Sequence, residues 1–165
     1  MLDPMINELR YEAATTRRVL ERVPEDKLTW KPHAKSMSLG QLSLHVATIP
    51  GSITGLARLD GFDAAEASFE PPEAESLSQV LTALDDSLKA AESYLSELDE
   101  KTATADWRLA IKGAEVFTVP RVAMLRSIML NHWYHHRGQL SVYLRELDVP
   151  VPSIYGPSAD ENPFA

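Results

Sequence analysis

Apolar residues recur every three or four positions over four long stretches of this sequence, a spacing that predicts amphipathic α-helices. Polar segments separate the stretches, and the third has the most regular apolar stripe. The predicted helices cover residues 4–22, 38–59, 76–98 and 118–147. Four helices that each carry one apolar stripe predict an all-α protein built as a four-helix bundle.

Residue types near the predicted helix ends support these boundaries. Asp3 can cap the first helix, because its carboxylate accepts hydrogen bonds from N–H groups of the first turn. The pairs Ser38-x-x-Gln41 and Ser76-x-x-Gln79 are capping boxes, which mark the start of the second and third helices.

Pro50 lies inside the second predicted helix, where proline is unusual. It has no N–H to donate to the carbonyl of Val46, and its ring pushes against that turn. We therefore expect a kink in this helix. The kink either bends the helix around the core or serves a functional site, and both interpretations are open.

The connections at residues 60–75 and 99–118 are long, which leaves topologies other than up-down-up-down open. In the second connection, Lys112-Gly113 indicates a turn between two short extended pieces, so a small hairpin or an irregular crossover is expected. Thr118 is then predicted to cap the fourth helix.

Composition and charge narrow the classes of function. With 165 residues, of which 44% are apolar, the chain predicts a single domain over residues 1–165. The net charge of -8 repels phosphate backbones, so nucleic acid is not an expected partner. The absence of cysteine excludes disulfides and thiolate ligands and fits a cytoplasmic location. No stretch resembles a signal peptide or a membrane span, so no membrane partner is expected.

Three of the five histidines lie within residues 132–136, inside the fourth predicted helix. His132 and His136 are four residues apart, which places their side chains about one turn apart on the same helix face. His45 lies on the apolar face of the second helix and can complete a set of three. A buried group of histidines without an ion is the alternative, but each ring nitrogen would then need a hydrogen-bond partner.

The residues around this set have different expected roles. His135 is also within reach of His132 on a helix, but we assign it to the flank of the site. His33 lies in a polar loop and is expected to be exposed. Arg137 is expected to pair with a carboxylate of a neighbouring helix, and Gln139 can orient a ligand imidazole. Gly138 predicts the close approach of another backbone.

The three histidines and their placement resemble the DinB/YfiT-like family. The segment His132-x-x-x-His136-Arg137-Gly138-Gln139 carries the resemblance, together with His45 in Leu42-Ser43-Leu44-His45-Val46-Ala47. The resemblance extends over about residues 3–160, and weaker similarities are Leu28–Pro32, Ser36–Gln41, Val149–Pro152 and Tyr155–Ser158.

The resemblance implies a DinB-type bundle with a divalent metal held by His45, His132 and His136. Nitrogen ligands suit transition metals, and zinc or nickel is the expected ion. Relatives that transfer or use thiols imply a transferase that activates a low-molecular-weight thiol for attack on an electrophile. A hydrolase using metal-bound water and a non-catalytic metal-binding stress-response protein are the alternatives.

Two further expectations concern the assembly and the chemistry. The resemblance implies a homodimer, for which the third helix and Trp107 are candidate surfaces. No general acid or base for catalysis can be identified from the sequence.

Overall fold

Helices form where the apolar spacing predicts them. The computed structural model describes residues 3–67 and 71–164, leaving out the side chain of Glu66. The fourth predicted helix is one continuous helical run in three parts, because its middle, Leu125–Asn131, has the wider turns of a π-helix. The helices are α1 (Asp3–Leu20), α2 (Leu39–Ala57), α3 (Leu77–Glu97), α4 (Glu100–Thr104), α5 (Arg121–Met124) and α6 (His132–Glu146), with short 3₁₀ turns at Glu25–Lys27 and Ala64–Glu66.

The predicted N-caps of α2 and α3 are confirmed. Ser38 Oγ accepts a hydrogen bond from the N–H of Gln41 at 3.0 Å, and Gln41 Oε1 accepts from the N–H of Ser38 at 2.9 Å. Ser76 Oγ accepts from the N–H of Gln79 at 3.1 Å. The capping box is complete at α2, whereas the amide of Gln79 bonds the N–H of Glu75 instead.

A three-stranded sheet corrects the prediction of an all-α four-helix bundle. The strands β1 (Gly61–Asp63), β2 (Asp106–Ile111) and β3 (Ala114–Pro120) lie in the order β1-β2-β3, with β1 parallel and β3 antiparallel to β2. The hairpin between β2 and β3 is the correct alternative, and Lys112 and Gly113 at its turn have φ of 51° and 77°. The strand β1 has no signature in the sequence, because three residues are too few for an alternating pattern.

The fourth helical run begins at Arg121, so the prediction that Thr118 caps it is wrong. Thr118 lies inside β3 and pairs with Arg108 of β2. The physical reason is that the antiparallel ladder continues to Pro120, which leaves Thr118 with an extended backbone.

The helix α2 packs against α3, α6 and the π-helical segment. Gly51 permits the close approach of α3, because a Cβ there would lie 2.9 Å from the Cα of Ser87. Its neighbour Pro50 is buried inside α2, which stays helical on both sides of it. The kink expected at Pro50 stays a prediction.

Trp107 is buried, not exposed as the sequence interpretation required. Only 2% of its surface is accessible, and its indole N–H donates to the carbonyl of Leu56 at 3.3 Å. Trp107 therefore offers no surface to a partner, and the homodimer stays a prediction. In the part of the chain that the structure describes, no helix is both long and apolar enough to span a membrane.

The segment after α6 lies along α1 and α6, and ion pairs attach it to both helices. Arg18 of α1 pairs with Glu161, and Arg145 of α6 pairs with Asp160. Ser153 of this segment is buried, and its carbonyl accepts a hydrogen bond from Arg18 at 3.3 Å.

Candidate metal centre

The structure brings together the three histidines that the sequence singled out. His45 comes from α2, whereas His132 and His136 come from the first turns of α6. The ring centroid of His136 lies 4.5 Å from the centroid of His45 and 4.5 Å from that of His132. The centroids of His45 and His132 are 5.2 Å apart. One ligand atom from each ring lies within 4.8 Å of the other two. This group could hold a divalent metal ion.

His132 and His136 lie at the edge of the buried face of α6, not at its centre where the apolar pattern placed them. Trp133 and Arg137, one position later, are buried at the centre. A π-helix bonds each N–H to the carbonyl five residues back, one more than an α-helix, so it shifts the buried line by about one position. The π-helical segment Leu125–Asn131 directly precedes His132 and explains this shift. Both imidazoles are consequently half-buried.

The environment keeps the three imidazoles in the neutral form. Burial, and after it the positive charges that His136 and His132 would carry, together lower the pKa of His45 to about 4. Burial also lowers the pKa of His132 and of His136, although hydrogen bonds with Ile128 and Gln139 oppose the effect. Neutral imidazole is the form that coordinates a metal ion.

Gln139 orients the ring of His136, as the sequence interpretation anticipated. Its Oε1 lies 2.7 Å from Nδ1 of His136. Because an amide oxygen only accepts hydrogen bonds, Nδ1 carries the proton and Nε2 keeps a lone pair. Nε2 of His136 in turn faces Nε2 of His132 at 2.7 Å. The Nε2 atoms of the two histidines of α6 therefore lie close enough together to bind one ion.

A direct hydrogen bond joins the two helices that supply the histidines. The indole N–H of Trp133, next to His132, donates to the carbonyl of Val46, next to His45, at 2.8 Å. Both residues are fully buried. No sequence motif predicts this hydrogen bond, because its two residues are 87 positions apart.

Arg137 pairs with a carboxylate of a neighbouring helix, which confirms the role expected for it. Its Nη2 lies 2.5 Å from Glu12 Oε2 on α1, and both side chains are buried. The same guanidinium donates to Thr16 Oγ1 at 3.1 Å and to Tyr155 Oη at 2.6 Å. The sequence interpretation missed Glu12, although its position one turn after Leu9 on the apolar face of α1 is a usable signal.

Three other residues that the sequence singled out are not members of the histidine group. His33 is exposed, as expected, and the exposed His135 lies on the flank assigned to it, with its ring centroid 5.0 Å from that of His136. The expectation for Gly138 is wrong, because a Cβ there would meet nothing within 4 Å. Its flexibility is not needed for packing, and the structure gives no other reason for a glycine at this position.

Comparison with known proteins identifies the family. A family model described as the DinB family matches residues 1–163. The chain belongs to the DinB family. It is 26% identical over 160 residues to the uncharacterized protein YrdA of Bacillus subtilis (strain 168), a match that covers 97% of this chain and 91% of that protein.

Two solved DinB-like structures resemble the protein. The DinB-like protein YjoA from Bacillus subtilis has a TM-score of 0.67 at 21% identity, over 88% of this chain and 92% of that one. A DinB-like protein from Bacillus cereus ATCC 10987 has a TM-score of 0.66 at 24% identity, over 90% and 94% of the respective chains. The shared fold is mostly helical and DinB-like.

Proposed function

We propose that this DinB-family protein is a metal-dependent enzyme whose ion is held by His45, His132 and His136. The observation that supports the proposal best is the convergence of three neutral ring nitrogens from two helices. Imidazoles with depressed pKa values in a shared, half-buried group are typical of a functional site.

The donor set suits a divalent transition metal. Zinc accepts imidazole nitrogens at about 2.0–2.1 Å, so two nitrogens on one ion are at most about 4 Å apart. The ring nitrogens here lie within 4.8 Å of one another, close to that span. Among the described residues no carboxylate joins the group, which favours a transition metal over calcium or magnesium. Zinc or nickel is our proposed ion.

Three protein ligands leave coordination positions for a small molecule. Catalytic zinc sites characteristically have three protein ligands and one exchangeable position. The three imidazoles are half-buried, so a ligand from solvent can reach the group. Because imidazoles are uncharged ligands, the full positive charge of the ion would act on whatever binds it.

The substrate we propose is a low-molecular-weight thiol, which the ion would favour in its deprotonated, nucleophilic form. The chain has no cysteine, so the sulfur must come from a separate molecule. In the proposed transfer the thiol releases its proton to solvent. Its sulfur forms a bond to an electrophilic carbon, and the leaving group departs with the electron pair of the broken bond.

The spectrum of the cobalt-substituted protein tests this proposal. Adding a small thiol is expected to produce a thiolate-to-cobalt charge-transfer band whose intensity rises with pH. The rise is expected to begin below the ordinary thiol pKa of about 8.5, because the ion favours the deprotonated form. The His136→Ala protein, which lacks one proposed ligand, is the control and is expected to show no band.

Other outcomes of the same titration select other functions. If carboxylates or phosphate esters change the cobalt spectrum and thiols do not, a hydrolase using metal-activated water replaces the transferase. If no small ligand changes the spectrum, a non-catalytic metal-binding protein replaces both. If the purified protein contains no metal and takes up neither zinc nor nickel, the metal site itself is refuted.

A further inference from the structure

We infer that Trp133 and Pro50 are positioning residues that set the distance between His45 and the two histidines of α6. The inference rests on the proposed metal site. It concerns the hydrogen bond from the Trp133 indole to the carbonyl of Val46, and the reason that this carbonyl is free to accept it.

Pro50 frees the carbonyl of Val46. In an α-helix this carbonyl would accept from the N–H of the residue four positions later, which is Pro50 and has no N–H. The next N–H, that of Gly51, donates to Ser87 Oγ of α3 at 2.8 Å. The backbone of α2 is therefore open to side chains of other helices at this turn.

Trp133 is the hydrogen-bond donor to the freed carbonyl of Val46. The indole donates to it at 2.8 Å, and neither Trp133 nor Val46 has accessible surface. A buried carbonyl without a partner is costly, so the bond holds α6 at one height and one rotation relative to α2. Each end of the bond is the sequence neighbour of a proposed ligand, His132 on α6 and His45 on α2.

The hydrogen bond that α2 lacks at Pro50 therefore allows Trp133 to fix the relative position of α2 and α6, the two helices that carry the proposed ligands. Loss of a supporting hydrogen bond around a metal site typically weakens metal affinity by about 10–100-fold. We expect an effect of this size when the link between Trp133 and Val46 is broken.

The first test compares two Trp→Phe variants. Trp133→Phe removes the indole N–H and keeps an aromatic ring, and it is expected to weaken zinc affinity at least roughly 10-fold. Trp107→Phe is the matched control, because Trp107 is also buried and also donates to a carbonyl of α2, that of Leu56. Leu56 is eleven residues from His45, so this control is expected to leave zinc affinity unchanged.

The second test uses Pro50→Ala, which restores an N–H that can bond the carbonyl of Val46. This variant keeps the indole, so it remains informative if Trp133→Phe fails to fold. We expect Pro50→Ala to weaken zinc affinity and to alter the cobalt absorption spectrum. A double variant combines Pro50→Ala with Trp133→Phe. In it the restored N–H is expected to recover the stability that Trp133→Phe alone loses, whereas zinc affinity stays low.

The outcomes separate this inference from the metal site on which it rests. If wild-type protein binds no zinc, the proposed site fails. If wild-type protein binds zinc and Trp133→Phe binds it as tightly as Trp107→Phe does, the positioning role is refuted. If zinc affinity recovers together with stability in the double variant, the bond supports the fold alone and the inference is overturned.

Discussion

Two polar clusters lie on adjacent sides of the same turns of α6, and they differ in how their polar atoms are satisfied. Arg137 and Glu12 form a buried ion pair, and Thr16 and Tyr155 accept further bonds from the guanidinium. His132 and His136 face each other through Nε2 atoms, and His45 adds a third ring. The Arg137 cluster balances its charge internally, whereas the described residues supply the histidine cluster with no carboxylate.

The difference separates a cluster that is satisfied by the chain itself from one that could hold a metal ion. A buried charge with a full set of partners holds helices together and leaves nothing for an external molecule. Neutral imidazoles whose ring nitrogens lie this close together could hold a cation.

The largest expected effect comes from breaking the Arg137 cluster. Glu12→Ala leaves a buried guanidinium without its carboxylate, and we expect it to lower the free energy of unfolding by about 3–5 kcal/mol. Urea denaturation measures this change. The control is Glu92→Ala on α3, which removes an exposed ion pair with Arg10 of α1, the helix that also carries Glu12. This control should lower the free energy of unfolding by no more than about 1 kcal/mol. Equal losses for the two variants would show that the buried pair has no special role.

The next effect concerns the histidine cluster. His136→Ala is expected to weaken zinc affinity by more than the roughly 100-fold upper range for a supporting residue, because it removes a proposed ligand. The metal-free variant should keep its helical circular dichroism, since the hydrophobic core does not depend on the ion. Isothermal titration with zinc measures the affinity.

The matched control for His136→Ala is His135→Ala, which removes the adjacent, exposed imidazole. It is expected to leave zinc affinity unchanged. If His135→Ala weakens affinity as much as His136→Ala does, the assignment of the ligands is wrong.

A smaller effect is expected at the edge of the histidine cluster. Gln139→Ala removes the acceptor that fixes the proton of His136 on Nδ1, and should weaken zinc affinity by about 10–100-fold. Gln139→Glu keeps an acceptor at the same place and is expected to retain most of the affinity. Nitrogen NMR of His136 in the metal-free protein reports the tautomer directly, and an unchanged tautomer in Gln139→Ala would contradict this role.

A pH dependence of stability is also expected in the metal-free protein. The pKa of His45 falls from 6.5 to about 4 on folding, because the folded state disfavours the protonated ring. The free energy of unfolding therefore keeps its full value above pH 6.5 and decreases as the pH falls towards 4. His45→Gln is expected to lose less stability than wild type over this interval. His33→Gln, which changes an exposed loop residue, should follow the wild-type curve in urea denaturation at each pH.

The sequence alone determined the helical framework and the identity of the three histidines. Long amphipathic stretches, capping residues and a two-residue turn act over a few positions, and such local signals can be recognised in a single chain. The spacing of His132 and His136 is a local signal of the same kind. Even the partner of Arg137 could be expected to be a carboxylate, because a buried guanidinium requires one.

The tertiary structure alone decided how these parts meet. The strand β1 exists only through its pairing with β2, and Trp107 is buried only because the sheet lies against α2. The π-helical segment turned His132 and His136 from the centre of the buried face to its edge, which an assumed 3.6-residue period could not anticipate. The carbonyl that Pro50 frees is visible in the sequence, but its partner Trp133 is not, because contacts between distant positions depend on how the whole chain packs.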